Sequence, residues 1–389
     1  MKILLLHNYY QQPGGEDIVV AQEKALLESK GNDVRLFSAH NNTIKGIVGR
    51  FRTALDSIYC VHSKRELDKE ICSFQPDIVH AHNLFPLLSP SVYGACKAHG
   101  IPVVQTLHNF RLICPNALLF RNGKTCELCV GKTVPWPAIQ HGCYRGSHAG
   151  SAAVACMIAT HGLGGTWTSS VDAYITLTNF SREKLIAGKL PSNRLFVKPN
   201  FLFTDPGRSS RAGDYALFVG RLSHEKGIST LLSAWARLRE NAKLKIVGTG
   251  PLEGFVHEGA KNSSIQAIGH QTQEGVMNLI DGAAFVIFPS ECYEGFPRVI
   301  VESFAKGKPV VASRLGSMAE LIDHGRTGLL FEPRNAQALA ETIEWMFANS
   351  RQVQTMGEAA RVEFETKYTA DRNYWQLMEI YARASHGHA

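Results

Sequence analysis

Alternation is what most constrains the fold of this 389-residue chain: short apolar runs recur between longer segments of helical periodicity along its whole length. In the first half such runs cover Ile3–His7, Val34–Ser38, Ile78–Ala81, Val103–His108, Tyr174–Leu177 and Phe196–Pro199. In the second half they cover Ala216–Val219, Lys245–Val247, Gln266–Ile268, Phe285–Phe288 and Val310–Ala312. A strand covered on both faces reads as a continuous apolar run, so the pattern predicts an α/β protein with parallel sheets. Helices are expected over Asp17–Lys30, with Gly31 as the stop, over Ile228–Arg239 and over Gly275–Asp281. The run Asp-Pro-Gly-Arg-Ser-Ser-Arg-Ala-Gly-Asp, ending at Asp214, reads as a linker. It predicts two doubly wound, Rossmann-like domains facing across a cleft: residues 1–200 and 201–367, with a last helical segment in 368–389.

Composition narrows the class. Hydrophobic residues make up 44% and charged residues 19%, as in a globular protein with substantial cores. No run reaches 18 apolar residues, and Ala149–Gly165 is broken by His161 and several Gly and Ser. Lys2 is followed by only four apolar residues before His7, which suits a first strand better than a secretory leader. A cytoplasmic protein is expected. The net charge of +7 is uneven: residues 1–200 carry 21 Lys and Arg against 13 Asp and Glu, and residues 201–389 carry 20 against 21. A basic first half would attract anionic headgroups or a phosphorylated acceptor, consistent with peripheral association at the inner membrane face, although ordinary solubility charge explains it equally. No basic run is interleaved with aromatics, which argues against a nucleic-acid partner.

Chemistry concentrates after the apolar run Phe285–Phe288. There Glu294 falls in a loop and Glu302 eight positions later on a helix, opened by Pro297 and ending near Gly307. The carboxyl edge of an open parallel sheet is where ligands bind. Glu294 would meet one end of an extended ligand and Glu302 the other, with the helix amino terminus between them favouring phosphate. After Val219 comes Gly220-Arg221-Leu222-Ser223-His224-Glu225-Lys226-Gly227, where Arg221 and Lys226 can grip a diphosphate from two sides. The loop Tyr9–Asp17 carries Gly14 and Gly15 ahead of a helix, and reads either as a phosphate or sugar cradle or as an ordinary tight turn. Gly248 lies in a Gly-x-Gly-Pro turn after Lys245–Val247, and His108 ends the run that begins at Val103.

These motifs resemble the retaining glycosyltransferases of family 4, which have the GT-B fold. The resemblance is strong over residues 215–335, including Ser313–Ser317 and Gly325–Leu330, and moderate over the first half. It implies that Glu294 approaches the donor sugar, aided by Gly295, Phe296 and Pro297, and that Glu302 binds the ribose. It also implies that Arg221 and Lys226 neutralise the leaving diphosphate, and that Gly14 and Gly15 face that diphosphate. Gly248, His270 and Gln271 would lie beside the base, which leaves UDP and GDP donors unseparated. His108 would point at the transferring sugar, donating a hydrogen bond or stabilising developing charge. A front-face route follows, in which a donor phosphate oxygen helps deprotonate the acceptor. The acceptor would be a polysaccharide or a lipid-linked glycan. No Asp-x-Asp pair occurs, in keeping with a hexosyltransferase that requires no metal or other cofactor for catalysis. One departure is Phe-Leu-Phe after Asn200, where many members have Gly-Val-Asp.

Two rival functions share these residues: a GT-B epimerase of nucleotide sugars, separable by product assay, and a silent nucleotide-sugar-binding scaffold. Intact Arg221, Lys226, Glu294 and Glu302 speak against the scaffold. Finally, Cys114, Cys126, Cys129 and Cys143 have the count and loop spacing of a structural zinc site. A redox pair or uncoupled buried thiols fit the same spacing.

Overall fold

The computed structural model describes residues 1–11, 14–238, 242–261 and 264–386. They fall into two compact units. One comprises Met1–Leu119, Cys126–Phe203 and the segment from Ala370 onward; the other comprises Thr204–Thr369 and Phe120–Thr125.

In the first unit the strands are β1 (Lys2–Tyr9), β2 (Asp33–His40), β3 (Ile78–Ala81) and β4 (Val103–Leu107). A small antiparallel hairpin, β5 (Phe120–Arg121) and β6 (Lys124–Thr125), interrupts the series before β7 (Ala173–Thr176) and β8 (Leu195–Val197). The main sheet is parallel throughout, in the order β2-β1-β3-β4-β7-β8. Ile3, Leu4, Leu5 and Leu6 are all buried, because helices cover the sheet on both sides. The first helix spans Gly15–Ser29. Asp17 fixes its start by accepting the Gly14 N–H at 2.8 Å. Gly31, at φ 81°, permits the left-handed turn beyond its end.

The helix Ala370–His386 completes this unit. Leu377, Ile380, Tyr381 and Ala384 recur at i, i+3, i+4 and i+7, which places them on one face. That face is buried in one core with Ile3, Leu5, Ile78, Val104 and Ile175. Burying each such aliphatic side chain contributes about 1.5–3 kcal/mol.

The second unit holds β9 (Ala216–Val219), β10 (Leu244–Val247), β11 (Ile265–Gly269), β12 (Phe285–Phe288), β13 (Val310–Ser313) and β14 (Gly328–Phe331). Its parallel order is β11-β10-β9-β12-β13-β14. The strand β14 is absent from the expected set because Gly328 opens it. A side chain at that position would lie 2.0 Å from the Val310 carbonyl oxygen, so the glycine serves close strand packing. The helix expected over Ile228–Arg239 ends at Trp235. Its next turn tightens to i→i−3 bonds, Arg237 N–H to Ala234 and Leu238 N–H to Trp235. Arg239 lies outside the described residues.

Both sheets obey one topological rule. The chain leaves β1 outward to β2 and returns on the other side at β3; it leaves β9 outward through β10 and β11 and returns at β12. The carboxyl ends of β1/β3 and of β9/β12 are therefore the reversal points, where a crevice opens for ligands.

Candidate active site

At the reversal in the second unit, Lys226 and Glu294 meet: Nζ lies 2.7 Å from Oε1. Lys226 ends a short turn (His224–Lys226) after β9, and Glu294 sits in the loop after β12. The two loops are stitched together by backbone. The Glu225 carbonyl accepts from the Glu291 N–H at 2.8 Å. Gly227 is required there, since its φ is 71° and a Cβ would fall 1.9 Å from the Pro289 carbonyl oxygen. Gly248 does the same on the other flank, bringing the turn after β10 against the Gly220 carbonyl. Ser290 Oγ donates to Glu294 Oε1 at 2.5 Å and so orients the carboxylate from behind. Burial opposes the Lys226 ammonium, but the Glu294 carboxylate beside it raises its pKa above the ordinary value. Lys226 is therefore a cation at neutral pH.

Glu302 is reached differently. It lies on the helix Arg298–Ala305 and is buried. Gln273 Nε2 donates to its Oε1 at 2.9 Å, and Arg298 Nη2 lies 3.2 Å from the same oxygen. Burial lowers the Arg298 pKa against the pull of Glu302. Pro297 caps this helix and is buried, and Phe296 packs edge-on against Tyr368 with centroids 6.0 Å apart. Arg221 is exposed in the loop after β9, and its guanidinium bonds to no described group. His270 is exposed and Gln271 half-buried after β11. Of the expected donor-site residues, then, the structure joins Lys226 to Glu294 directly. Arg221, Gly248, His270 and Gln271 follow the carboxyl ends of β9, β10 and β11, while Gly295 and Glu302 follow β12. Ser290, Gln273 and Arg298 were not expected; of these only Arg298, four residues before Glu302, left a trace in the spacing.

The first unit holds a second constellation. Gly14 sits at the helix start, but its N–H is engaged by Asp17, and a Cβ there would meet nothing within 4 Å. Neither close packing nor a free backbone donor explains that glycine, and its neighbours Gln12 and Pro13 lie outside the described residues. His108 follows β4 and lines a small recess with Glu16, His82, Phe85, Gln105 and Arg111. Arg111 stacks over Phe85, 4.7 Å from the ring centre. Desolvation pushes the Glu16 carboxyl up to about 7. His80 and His82 are both buried. His82 Nδ1 lies 3.0 Å from His108 Nε2, and the rings stack at 5.3 Å. Burial, reinforced by the neighbouring imidazoles, holds the His108 pKa well below the usual histidine range.

The four loop cysteines gather around Cys129, whose thiol is pushed up to about 12 by burial and by Cys114, Cys143 and Cys126. Cys114 donates to Asn116 Oδ1 at 2.9 Å. Among the described residues, the one group of three or more metal-ligating side chains with ligand atoms mutually within 4.8 Å is Glu23, His80 and His82. The four sulfurs are thus not drawn to the spacing a shared zinc ion imposes.

Comparison with known proteins places these features. Residues 13–205 match the model described as Glycosyltransferase Family 4, and residues 208–363 match the one described as Glycosyl transferases group 1. An uncharacterized glycosyltransferase of Methanocaldococcus jannaschii is 34% identical over 181 residues, 44% of this chain and 50% of that protein. The chain thus spans about half the length of that relative. Among solved structures, sucrose-phosphate synthase from Thermosynechococcus elongatus superposes with a TM-score of 0.74 at 18% identity, covering 99% of both chains. Anabaena HepE, solved in complex with UDP-glucose, superposes at 0.70 with 19% identity, covering 98% of this chain and 99% of that one. At such identities the likeness is one of fold, the two-domain GT-B architecture.

Proposed function

Starting from the fact that this chain belongs to the family 4, group 1 glycosyltransferases, we propose that it moves a hexosyl group from a nucleotide-sugar donor to a glycan acceptor with retention of configuration. The observation that carries the reading is the Lys226–Glu294 contact at the β9/β12 reversal, 2.7 Å between Nζ and Oε1, with Arg221 exposed in the loop after β9. An ammonium and a guanidinium at a sheet's carboxyl edge oppose the charge that builds on a departing diphosphate. Because these two cations supply that neutralisation, the reaction as proposed needs no metal. Glu294, held by Ser290, positions the donor sugar; Glu302, held by Gln273 and Arg298, accepts from the ribose hydroxyls. The carbon–oxygen bond to the diphosphate breaks, the acceptor oxygen bonds to the same face of the sugar, and its proton passes to a donor phosphate oxygen. Anabaena HepE shares the fold and was solved with UDP-glucose, which puts UDP ahead of GDP as the base carrier.

A thermal-shift screen of UDP-, GDP- and ADP-sugars tests the donor, since a ligand at 100 times its Kd adds about 2.7 kcal/mol to the native state. One nucleotide class should raise the melting point; flat traces with all three would remove the donor groove. The anomeric configuration of the product, read by NMR, tests retention, and inversion would overturn it.

The acceptor is a polysaccharide or lipid-linked glycan at the cytoplasmic membrane face. The excess of basic residues in positions 1–200 and the exposed Phe51, Leu55 and Tyr59 support this. No helix among the described residues is long and apolar enough to cross a membrane. Co-sedimentation with anionic vesicles but not with neutral ones is the expected result. The Cys-x-x-Cys spacing and the gathering of four thiols around Cys129 support a structural zinc ion, which would have to pull the sulfurs inward. Four freely titrating thiols in the metal-free native protein would end that part of the reading.

A further inference from the structure

Behind His108 lies a run of buried polar groups that the transfer reaction does not use. Lys198 Nζ sits 3.1 Å from Glu23 Oε2 and donates to Asn373 Oδ1 at 3.2 Å. Glu23 Oε1 lies 3.1 Å from both His80 Nδ1 and His82 Nε2. Tyr381 Oη also lies 2.8 Å from His80 Nδ1, and Thr106 Oγ1 holds the ring from its other side, 2.8 Å from Nε2. The spacing of Glu23, His80 and His82 would admit a cation, but the Lys198 ammonium already occupies the carboxylate. The cluster is an ion-paired network, which ties the first helix, the end of β3 and the helix Ala370–His386 to the residue after β4.

Proton positions follow by elimination along this run. Glu23 is buried against Lys198, which holds its carboxyl well below the usual range despite desolvation. An ionised carboxylate oxygen 3.1 Å from His82 Nε2 repels a bare nitrogen lone pair and attracts an N–H. Both atoms are buried, and the same carboxylate oxygen is approached at 3.1 Å by His80 Nδ1 as well. The proton of neutral His82 therefore sits on Nε2, and its Nδ1 is left as an acceptor. Among the described residues, the hydrogen-bond partner of that Nδ1 is His108 Nε2, at 3.0 Å, which must then carry a hydrogen.

We propose that His82, backed by Glu23, is a positioning residue that fixes His108 as its Nε2–H tautomer and turns the unprotonated Nδ1 of His108 toward the recess. This deepens the glycosyl-transfer reading and rests on it for its consequence. His108 accepts a hydrogen bond from a substrate hydroxyl instead of donating one. A recess that offers a neutral acceptor selects a hydroxyl-bearing ligand over an anionic one, because an anion brings no proton to share.

Long-range ¹⁵N–¹H correlation spectra of the labelled full-length protein assign the tautomer without any substrate. Wild type should show His108 protonated at Nε2; protonation at Nδ1 overturns the proposal. His82→Phe should release His108 to a mixture of tautomers and lower turnover on the order of 10- to 100-fold, as for other groups that orient a working imidazole. Nucleotide affinity should stay unchanged. His82→Asn, which returns an amide oxygen near the former Nδ1, should restore the Nε2–H form and part of the turnover. An unaltered His108 tautomer in His82→Phe overturns the proposal. Should that variant fail to fold, Glu23→Gln decides, since removing the carboxylate charge must mix the tautomers. Absence of transfer with every donor, beside the expected spectra, would strike the glycosyl-transfer reading and leave the relay standing.

Discussion

The two sheet reversals solve the problem of holding polar side chains in opposite ways. At β9/β12 the working groups carry permanent charge: Lys226 and Glu294 are 2.7 Å apart, and the cation is raised in pKa by its partner. At β1/β3 the working groups are held neutral, with His82 pushed down to about 4 by burial and the His108 pKa well below the usual value. A diphosphate needs fixed positive charge, whereas a sugar hydroxyl needs an oriented donor or acceptor. On the proposed function, the charged site suits the diphosphate and the neutral one a sugar hydroxyl. The difference also shows where each site is fragile. The charged site is fixed by backbone stitching between two loops, and the neutral one by a buried ion pair at its back.

The sharpest way to break the contrast is to remove that back support. Glu23→Ala leaves Lys198 as an uncompensated buried cation and should cost about 3–5 kcal/mol of stability. Denaturant unfolding measures this, and a loss below about 1 kcal/mol would mean the network carries no weight. Next in size, Lys226→Ala should remove about 2–4 kcal/mol of transition-state stabilisation, a fall in turnover of roughly 30- to 1000-fold. Its melting temperature should barely move, because Glu294 is left with Ser290 as a partner. Undiminished turnover would detach Lys226 from the diphosphate. Glu302→Ala should weaken nucleotide binding by about 1.5–3 kcal/mol, the worth of hydrogen bonds to a charged group, as read by calorimetry. Unchanged affinity would move the ribose elsewhere.

The smallest effect sharpens the comparison through pH. A carboxyl raised to about 7, as at Glu16, binds its proton more tightly folded than unfolded. Its contribution is fully present below the unfolded value near 4.5 and is lost as pH rises through about 7. Glu16→Gln should therefore melt higher than wild type at pH 8 and equally at pH 4. His82, depressed to about 4, has the opposite sign: its contribution is present above 6.5 and lost as pH falls toward 4. Equal melting of Glu16→Gln and wild type at pH 8 would show that this carboxyl is solvated.

Legibility in the sequence followed this same division. In the second unit the candidate residues lie in short continuous segments after β9 and β12, so Arg221, Lys226, Glu294 and Glu302 could be picked out by spacing, strand context and the resemblance to family 4 together. Strand positions were readable wherever the run was purely apolar, as at Ile78–Ala81 and Phe285–Phe288. The strand Gly328–Phe331 was not, since a glycine chosen for close packing resembles a turn. The first-unit network was invisible for a plainer reason: Glu23, His80, His108, Lys198 and Tyr381 meet across up to 301 positions of sequence. A buried lysine and a surface lysine are the same letter. Gly14 and Gly15 were read either as a phosphate or sugar cradle or as an ordinary tight turn, and the Gly14 N–H closes on Asp17.

The helix Ala370–His386 has a consequence for how the protein is made. Its apolar stripe fills the core of the unit whose strands are translated first. A ribosome will have completed all six strands of that sheet, and the whole of the other unit, before Leu377 and Tyr381 emerge to seal it. The early half must wait open while the later half folds. Severing the chain after Thr369 should consequently spoil the amino-terminal unit, remote though the cut is in sequence, and leave the intervening one intact.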